Sequence, residues 1–334
     1  MIQANYRPCK YTKSNDLQKI LGLDIKIVAW YNVPMTNYTK EQEKFISSVE
    51  RALDICAKQL PDDVVNRLKE MRAKEDSPSA LAFYDSYFTN LQKAVELNRP
   101  ICQDTGVVNF YLKIGTRFPL IDDVEELLTE AVRRATSSAP LRHNAVETFI
   151  EKNTGTNIGT KVPYFEYELI SNSDKLELTI YLAGGGSSLP GRATVMVPSA
   201  GYGAIAEFVM DTMVNYGINA CPPLVVGVGV GPCVASSARL AKKATLRILG
   251  SHNPIEKVAE MEKLLFTALN DVGIGPQGLG GKESVMAVHV ENMARHPSSF
   301  GVAVAFGCWA HRRMNLSFDG SLTPICHTHK GVEL

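Results

Sequence analysis

The sequence lacks a net charge, a long apolar run and any close pair of cysteines. Its 35 Lys and Arg are cancelled by 35 Asp and Glu, leaving a formal net charge of zero at neutral pH. That balance argues against duplex nucleic acid or an anionic membrane as a global partner. No apolar stretch approaches the roughly 18 residues that cross a bilayer. The opening segment, MIQANYRPCKYTKSNDLQ, has no apolar region of the kind an export signal needs. The N-glycosylation sequons at Asn37 and Asn315 therefore carry no weight. Seven cysteines in 334 residues are odd in number and too sparse for a disulfide framework. They suit a reducing cytoplasm, the expected location, where cysteines are buried, catalytic or metal-bound. A small-molecule enzyme and a protein-binding subunit remain.

What is present reads as a globular chain, 45% hydrophobic and 21% charged. Its length allows two domains at about 150 residues each, or one large domain with an appendage. Residues 1–40 form a variable N-terminal extension, with a strand-like segment at 23–30. From Lys40 the pattern turns helical. Phe45, Val49, Leu53 and Cys56 recur at spacings of three and four, the stripe that an amphipathic helix buries. Pro61-Asp62-Asp63 restarts a helix on an acidic first turn, and 77–96 continues as a third. Beyond Ile101, strands are expected at 107–114, 224–230, 285–290 and 302–306. Helices are expected at 122–134, 204–216, from Val234 onward, and at 255–269. Segments 164–170 and 176–182 alternate polar with apolar residues and read as a hairpin. Helices and strands mix without strict alternation. The expected class is α+β, with an N-terminal helical layer followed by a mixed α/β domain, the two together spanning 41–334.

Two glycine-rich stretches fail as phosphate loops. Gly227-x-Gly229-x-Gly231 and residues 275–281 lack the dinucleotide spacing, and Gly281-Lys282 is followed by Glu283 rather than Ser or Thr. They read as tight turns between packed elements.

The cysteines divide by context. Cys56 lies on a helical apolar stripe and reads as core. Cys233 opens an expected helix, where a thiolate could be stabilised, though packing is favoured. Cys9 and Cys326 lie near the termini. Cys102, Cys221 and Cys308 each sit at an irregular junction beside Pro or Gly, in RPICQDTG, NACPP and GCWAHRR. Without a Cys-x-x-Cys pair, a zinc finger or a cluster held by one local run is excluded. Three dispersed thiolates that converge would suit an iron–sulfur cluster with one open iron.

The words around these cysteines say more than their spacing. CQDTG (102–106), LRHN (141–144), NTG (153–155), AGGGSSLPGR (183–192), NACPP (219–223), GIGPQGLGG (273–281), ARHPSS (294–299) and GCWAHRR (307–313) occur in that order. From about Glu41 to about Arg313 the chain resembles the class I, iron–sulfur-dependent fumarase/tartrate dehydratase family. CQDTG and NACPP are family-wide, whereas LRHN, AGGGSSLPGR and GCWAHRR resemble the tartrate branch. The fumarase branch typically has Lys before the glycines and Ser-Ala-Asn-Lys after them. The chain departs from the family in its N-terminal extension, in the segment after Arg313, and at Ser187, where a related enzyme carries Cys.

The resemblance implies a [4Fe-4S] cluster bound by Cys102, Cys221 and Cys308, with the fourth iron open to a substrate hydroxyl and carboxylate. It implies that Gln103 and Asp104 act as catalytic residues facing the substrate. Arg142 would pair with a substrate carboxylate, for which a bidentate guanidinium is suited. Gly185 and Gly186 would present backbone N–H groups at an approach open only to residues without Cβ. His143 would meet the distal hydroxyl that tartrate has and malate lacks, or play a structural part. The implied activity is a hydro-lyase that converts L-tartrate to oxaloacetate and water. The alternative is the α subunit of a two-subunit fumarase. Elimination also needs a base for the adjacent C–H proton, and no residue here is an obvious one. A β subunit is therefore expected to complete the site, in an α2β2 heterotetramer.

Several residues keep two readings. Arg192 and the Arg312-Arg313 pair either balance the negative cluster-thiolate assembly or are simply solvated. Asp104 is either a site residue or a turn residue before Gly106. His289 reads as core and Trp309 as packing. A cluster-bearing redox or iron-sensing protein is the rival from another class, and the neutral charge and the Gln103-Asp104 pair both speak against it.

Overall fold

A computed structural model describes residues 37–334. The strand expected at 23–30 and Cys9 lie outside the described residues. Helix α1 (Lys40–Lys58) opens on a reciprocal cap, in which Gln42 N–H donates to Thr39 Oγ1 and Thr39 N–H to Gln42 Oε1. Its stripe of Phe45, Val49, Leu53 and Cys56 is fully buried. Helix α2 (Asp62–Lys74) has two acids in its first turn, and α3 (Pro78–Glu96) starts on a proline, both favourable at a helix N-terminus. These three helices are the expected helical layer.

The rest follows in chain order: β1 (Val107–Gly115), α4 (Val124–Ser138), the short strands β2 (Val146–Glu147) and β3 (Lys152–Asn153), β4 (Tyr164–Ile170) and β5 (Leu176–Ala183). One turn of helix, α5 (Gly185–Ser188), leads to β6 (Arg192–Met196), α6 (Gly201–Tyr216), β7 (Leu224–Gly231), α7 (Val234–Thr245) and α8 (Glu256–Asp271). The chain ends through β8 (Val285–Asn292), β9 (Phe300–Gly307), β10 (Arg313–Phe318) and β11 (Ile325–Cys326). The α+β class holds. Two sheets carry the fold, ordered β11-β10-β5-β1-β4 and β6-β9-β7-β8.

The first sheet buries one face against α1 and α4, through Phe45, Phe110, Leu178 and Phe318 among others. Segments 164–170 and 176–182 are strands, but they are not a hairpin. Strand β1 lies between them, parallel to β4 (Phe110↔Phe165) and antiparallel to β5 (Val107↔Ala183). Polar–apolar alternation specifies which face of a strand is buried, not which strand lies beside it. Here the stacked rings of Phe110 and Phe165, 5.5 Å apart, join β4 to β1 instead.

In the second sheet β7, β8 and β9 are buried along nearly their whole length, as strands covered on both faces are, while the edge strand β6 is largely exposed. Its glycines are not turns. Gly227 and Gly229 lie within β7, where an added Cβ would come within 2.1 Å of Ala241 O and 2.0 Å of Ser237 O. Their missing side chains let α7 lie directly on the strand. The second stretch, 275–281, is a turn-rich loop as expected, with Gly275, Gly278 and Gly280 at positive φ.

The topology gathers particular chain ends. In the first sheet β1 begins where β5 ends, and β10 begins beside them, with Arg313 opposite Tyr181. In the second, β7 begins where β9 ends, with Val225 opposite Gly307. The segment 308–312 crosses from the end of β9 to the start of β10. Cys102, Cys221 and Cys308 occupy the segments that enter β1, enter β7 and leave β9.

Candidate functional site

The helical layer holds the Cys102 segment. Ile101 N–H donates to Ala57 O of α1 at 3.0 Å, and Asn90 Nδ2 of α3 donates to Ile101 O at 2.7 Å. The half-buried Cys102 follows directly.

Cys221 ends a short 3-10 turn in left-handed backbone, with φ 57° and ψ 75°. A β-carbon is disfavoured there, so the strain needs support from its surroundings. Trp309 N–H donates to Cys221 O at 3.2 Å, linking the segments of Cys308 and Cys221. Pro222 O accepts from Gln277 N–H at 3.0 Å and from Tyr87 Oη at 3.2 Å, and Gln277 Nε2 donates to Tyr87 Oη at 2.8 Å. Tyr87 in turn stacks on Trp309, with centroids 4.1 Å apart. Trp309 is thus packing, as expected. Tyr87 and Gln277 were not legible as supports, because nothing local in the sequence marks a brace contributed by a distant helix and loop.

The three thiols are near enough to act on one another. Burial pushes the Cys308 thiol up to about 11, with the charges of Cys221 and Cys102 adding to the rise and Arg312 opposing it. Cys221 is also raised, first by burial, then by Cys102 and Asp104.

Asp104 is clamped through both carboxylate oxygens. Oδ1 accepts from Gly106 N–H at 3.0 Å, and Oδ2 from Gly185 N–H at 2.7 Å. The Gly185 N–H is therefore directed at Asp104. Gly186 lies beside Asn219 O of the Cys221 segment, the nearest atom to an added Cβ at 3.4 Å. Arg142 is exposed and rests against the first cysteine segment, donating from Nη1 to Gln103 O at 3.3 Å and from its backbone to Thr105 Oγ1 at 3.0 Å. Asn144 fixes that segment, donating from Nδ2 to Thr105 Oγ1 and Gly106 O, while its N–H donates to Asn157 Oδ1. His143 is exposed, and its carbonyl accepts from Asn153 Nδ2 at 2.8 Å. Gln103 is likewise exposed.

The ambiguous residues separate clearly. Arg312 and Arg313 are 1% and 0% exposed, so neither is solvated. Arg313 pairs with Asp63, while Arg312 donates from Nη2 to Asp104 O at 2.7 Å. Arg192 lies at the surface, bonded to Leu189 O and Gly191 O, with its guanidinium 4.0 Å from the Tyr216 ring centre. His289 is core, hydrogen-bonded to Ala244 O, and burial lowers its pKa to about 3. Cys56 is core as well, its thiol pushed up to about 12 by burial. Cys233 is the exception. It is exposed rather than packed, caps α7 beside Ser236, and hydrogen bonds from Ser236 hold its pKa down.

Comparison with known proteins places this geometry. The model of the fumarate hydratase (fumerase) family matches residues 46–317. The chain belongs to the fumarate hydratase family. Within it, the chain is 47% identical to the L(+)-tartrate dehydratase subunit alpha of Escherichia coli K12, over 89% of this chain and 100% of that protein. It is 36% identical to the putative L(+)-tartrate dehydratase subunit alpha of Methanocaldococcus jannaschii, over 76% of this chain and 90% of that protein. Every candidate site residue falls inside the segment matched by the fumarate hydratase family.

Among the described residues no helix is long and apolar enough to cross a membrane. No three His, Cys, Asp or Glu side chains among them are close enough to hold a single metal ion. Three thiols that feel each other's charge without meeting at one point fit a larger inorganic group that takes one thiolate per metal. The buried guanidinium of Arg312, whose Nε and Nη1 have no partner among the described residues, fits a negatively charged group.

Proposed function

We propose that this chain is the cluster-bearing α subunit of a cytoplasmic iron–sulfur hydro-lyase that converts L-tartrate to oxaloacetate and water. Residues 41–334 form its cluster-binding domain, and Cys102, Cys221 and Cys308 hold a [4Fe-4S] cluster through three irons. The observation that carries this reading is the joining of three distant cysteine segments at the meeting ends of both sheets. When bound, the cluster supplies an open iron as a Lewis acid for the departing hydroxyl.

The remaining work belongs to side chains. Arg142, exposed above Gln103, receives a substrate carboxylate in a charge-assisted contact. Asp104, fixed by Gly106 and Gly185, presents a carboxylate whose direction is set before substrate arrives. Gln103 and His143 lie exposed on the same segments and contact the substrate hydroxyls. Gly186, on the short helix beside Asn219, leaves room for close backbone approach. The base that takes the C–H proton comes from a β subunit, in an α2β2 assembly. The name of the Escherichia coli relative, a subunit alpha, supports such a partner.

The test is anaerobic coexpression with the β-type chain encoded alongside, followed by assay of L-tartrate and of fumarate. Turnover of L-tartrate to oxaloacetate is expected. Exclusive hydration of fumarate would overturn the tartrate reading and favour a two-subunit fumarase.

A further inference from the structure

We infer that Arg312 is the built-in counter-charge of the cluster and the positioning residue that ties the Asp104 segment to it. This rests on the iron–sulfur reading of the site. Arg312 is 1% exposed, and its Nε and Nη1 have no hydrogen-bond partner. Its one side-chain bond runs from Nη2 to the backbone carbonyl of Asp104. The next residue, Arg313, leaves its own Nε and Nη1 without a partner but is given an anion, pairing with Asp63 and donating to Arg247 O, whereas no carboxylate among the described residues pairs with Arg312. Burying a cation without an anion is strongly unfavourable. The Nε and Nη1 donors of Arg312 are thus left for an acceptor that the described residues do not supply.

The surroundings say what that acceptor is. Arg312 lies on the crossover four residues after Cys308, and its bond to Asp104 O reaches the segment two residues after Cys102. Its Nη2 would be 3.7 Å from a Cβ added at Gly184, and Asp104 Oδ2 would be 3.1 Å from the same point. Arg312 therefore stands beside Asp104 and the glycine turn, on the segment that leaves Cys308. An anionic cluster with thiolate and sulfide acceptors meets both its charge and its two free donors. A nearby cation also favours the more reduced, more negative state of such a group, so the residue sets redox poise as well as retention.

The test uses the complex assembled anaerobically with its β chain, as wild type, Arg312→Gln and Arg312→Lys. The readouts are iron and sulfide content, the rate of cluster bleaching by an iron chelator, and the reduction potential from an EPR-monitored titration. Thermal unfolding of the cluster-free full chain is the fourth. Arg312→Gln should bleach about tenfold faster, the factor that loss of one charge-assisted hydrogen bond carries, and its potential should become more negative. Arg312→Lys should keep most of both properties. Cluster-free Arg312→Gln should melt no lower than the cluster-free wild type, because it sheds an unpaired buried charge. Wild-type bleaching and potential in Arg312→Gln would overturn the inference. So would a lower melting temperature of that variant without cluster, or a Lys variant as labile as Gln. A wild-type complex that takes up no iron or sulfide would refute the iron–sulfur reading itself.

Discussion

The interface of α1 with α4 and the crossover from β9 to β10 treat buried charge in opposite ways. Between the helices, Arg134 binds Glu43 and Glu130, and Arg133 binds Glu130, which is 4% exposed. Each charge there is answered by the chain. On the crossover the answer stops halfway: Nε and Nη1 of both arginines are idle, but Arg313 is paired to Asp63 while Arg312 has no carboxylate partner among the described residues. Exposure differs as well, since the Arg134 and Arg133 side chains are 26% and 49% exposed while that of Arg313 is 0%. The difference that matters is what completes the electrostatics, which is the protein in one case and, on the iron–sulfur reading, would be the cluster in the other. A buried charge the chain neutralises is there for stability, while one it leaves open marks a site.

Removing what answers the open charge should have the largest effect. Cys308→Ser should abolish the cluster's visible absorbance and all turnover, as should the same change at Cys102 or Cys221, whereas Cys56→Ser should leave the absorbance intact. Absorbance spectra of the anaerobically purified variants decide this. Making Arg313 resemble Arg312 comes next. Asp63→Ala would strand a fully buried guanidinium and cost about 3–5 kcal/mol in denaturant unfolding, while a cost under about 1 kcal/mol would mean that the pair is not what holds the crossover.

Acid sharpens the contrast in the neutral part of the fold. His289 is buried uncharged, with its pKa lowered from 6.5 to about 3 by burial. The unfolded chain protonates this residue first as pH falls, so its stabilisation is complete above pH 6.5 and is lost progressively down to about pH 3. His289→Gln should flatten stability against pH in that window. Arg142→Ala bears on the exposed side of the site. It should lower kcat/KM by roughly 10- to 150-fold, the range expected for a charge-assisted contact of about 1.5–3 kcal/mol.

The helical layer was legible because the stripe of Phe45, Val49, Leu53 and Cys56 has one period and one buried face. The sheet order was not. The alternation in 164–170 and 176–182 specifies strands, but only the tertiary fold places β1 between them. The β7 glycines look like a loop in sequence because close helix–strand packing removes side chains just as a turn does. Strands β10 and β11 escaped notice, since the residues after Arg313 lack a strong period. In the site, the cysteine words were readable as a resemblance. The clamp on Asp104, the support from Tyr87 and Gln277, and the burial of Arg312 all depend on distant partners. Sequence alone leaves the two adjacent arginines open between a solvated pair and a counter-charge, and their burial removes the first.

The central claim is that one iron of a three-cysteine cluster in this chain meets the substrate. Mössbauer spectra of the 57Fe-reconstituted αβ complex test it directly, recorded with and without L-tartrate. The account predicts that one iron site of the cluster changes its isomer shift and quadrupole splitting on tartrate addition while the other three stay as they were. A cluster whose four irons are all indifferent to tartrate, or a chain that binds no cluster, would contradict it.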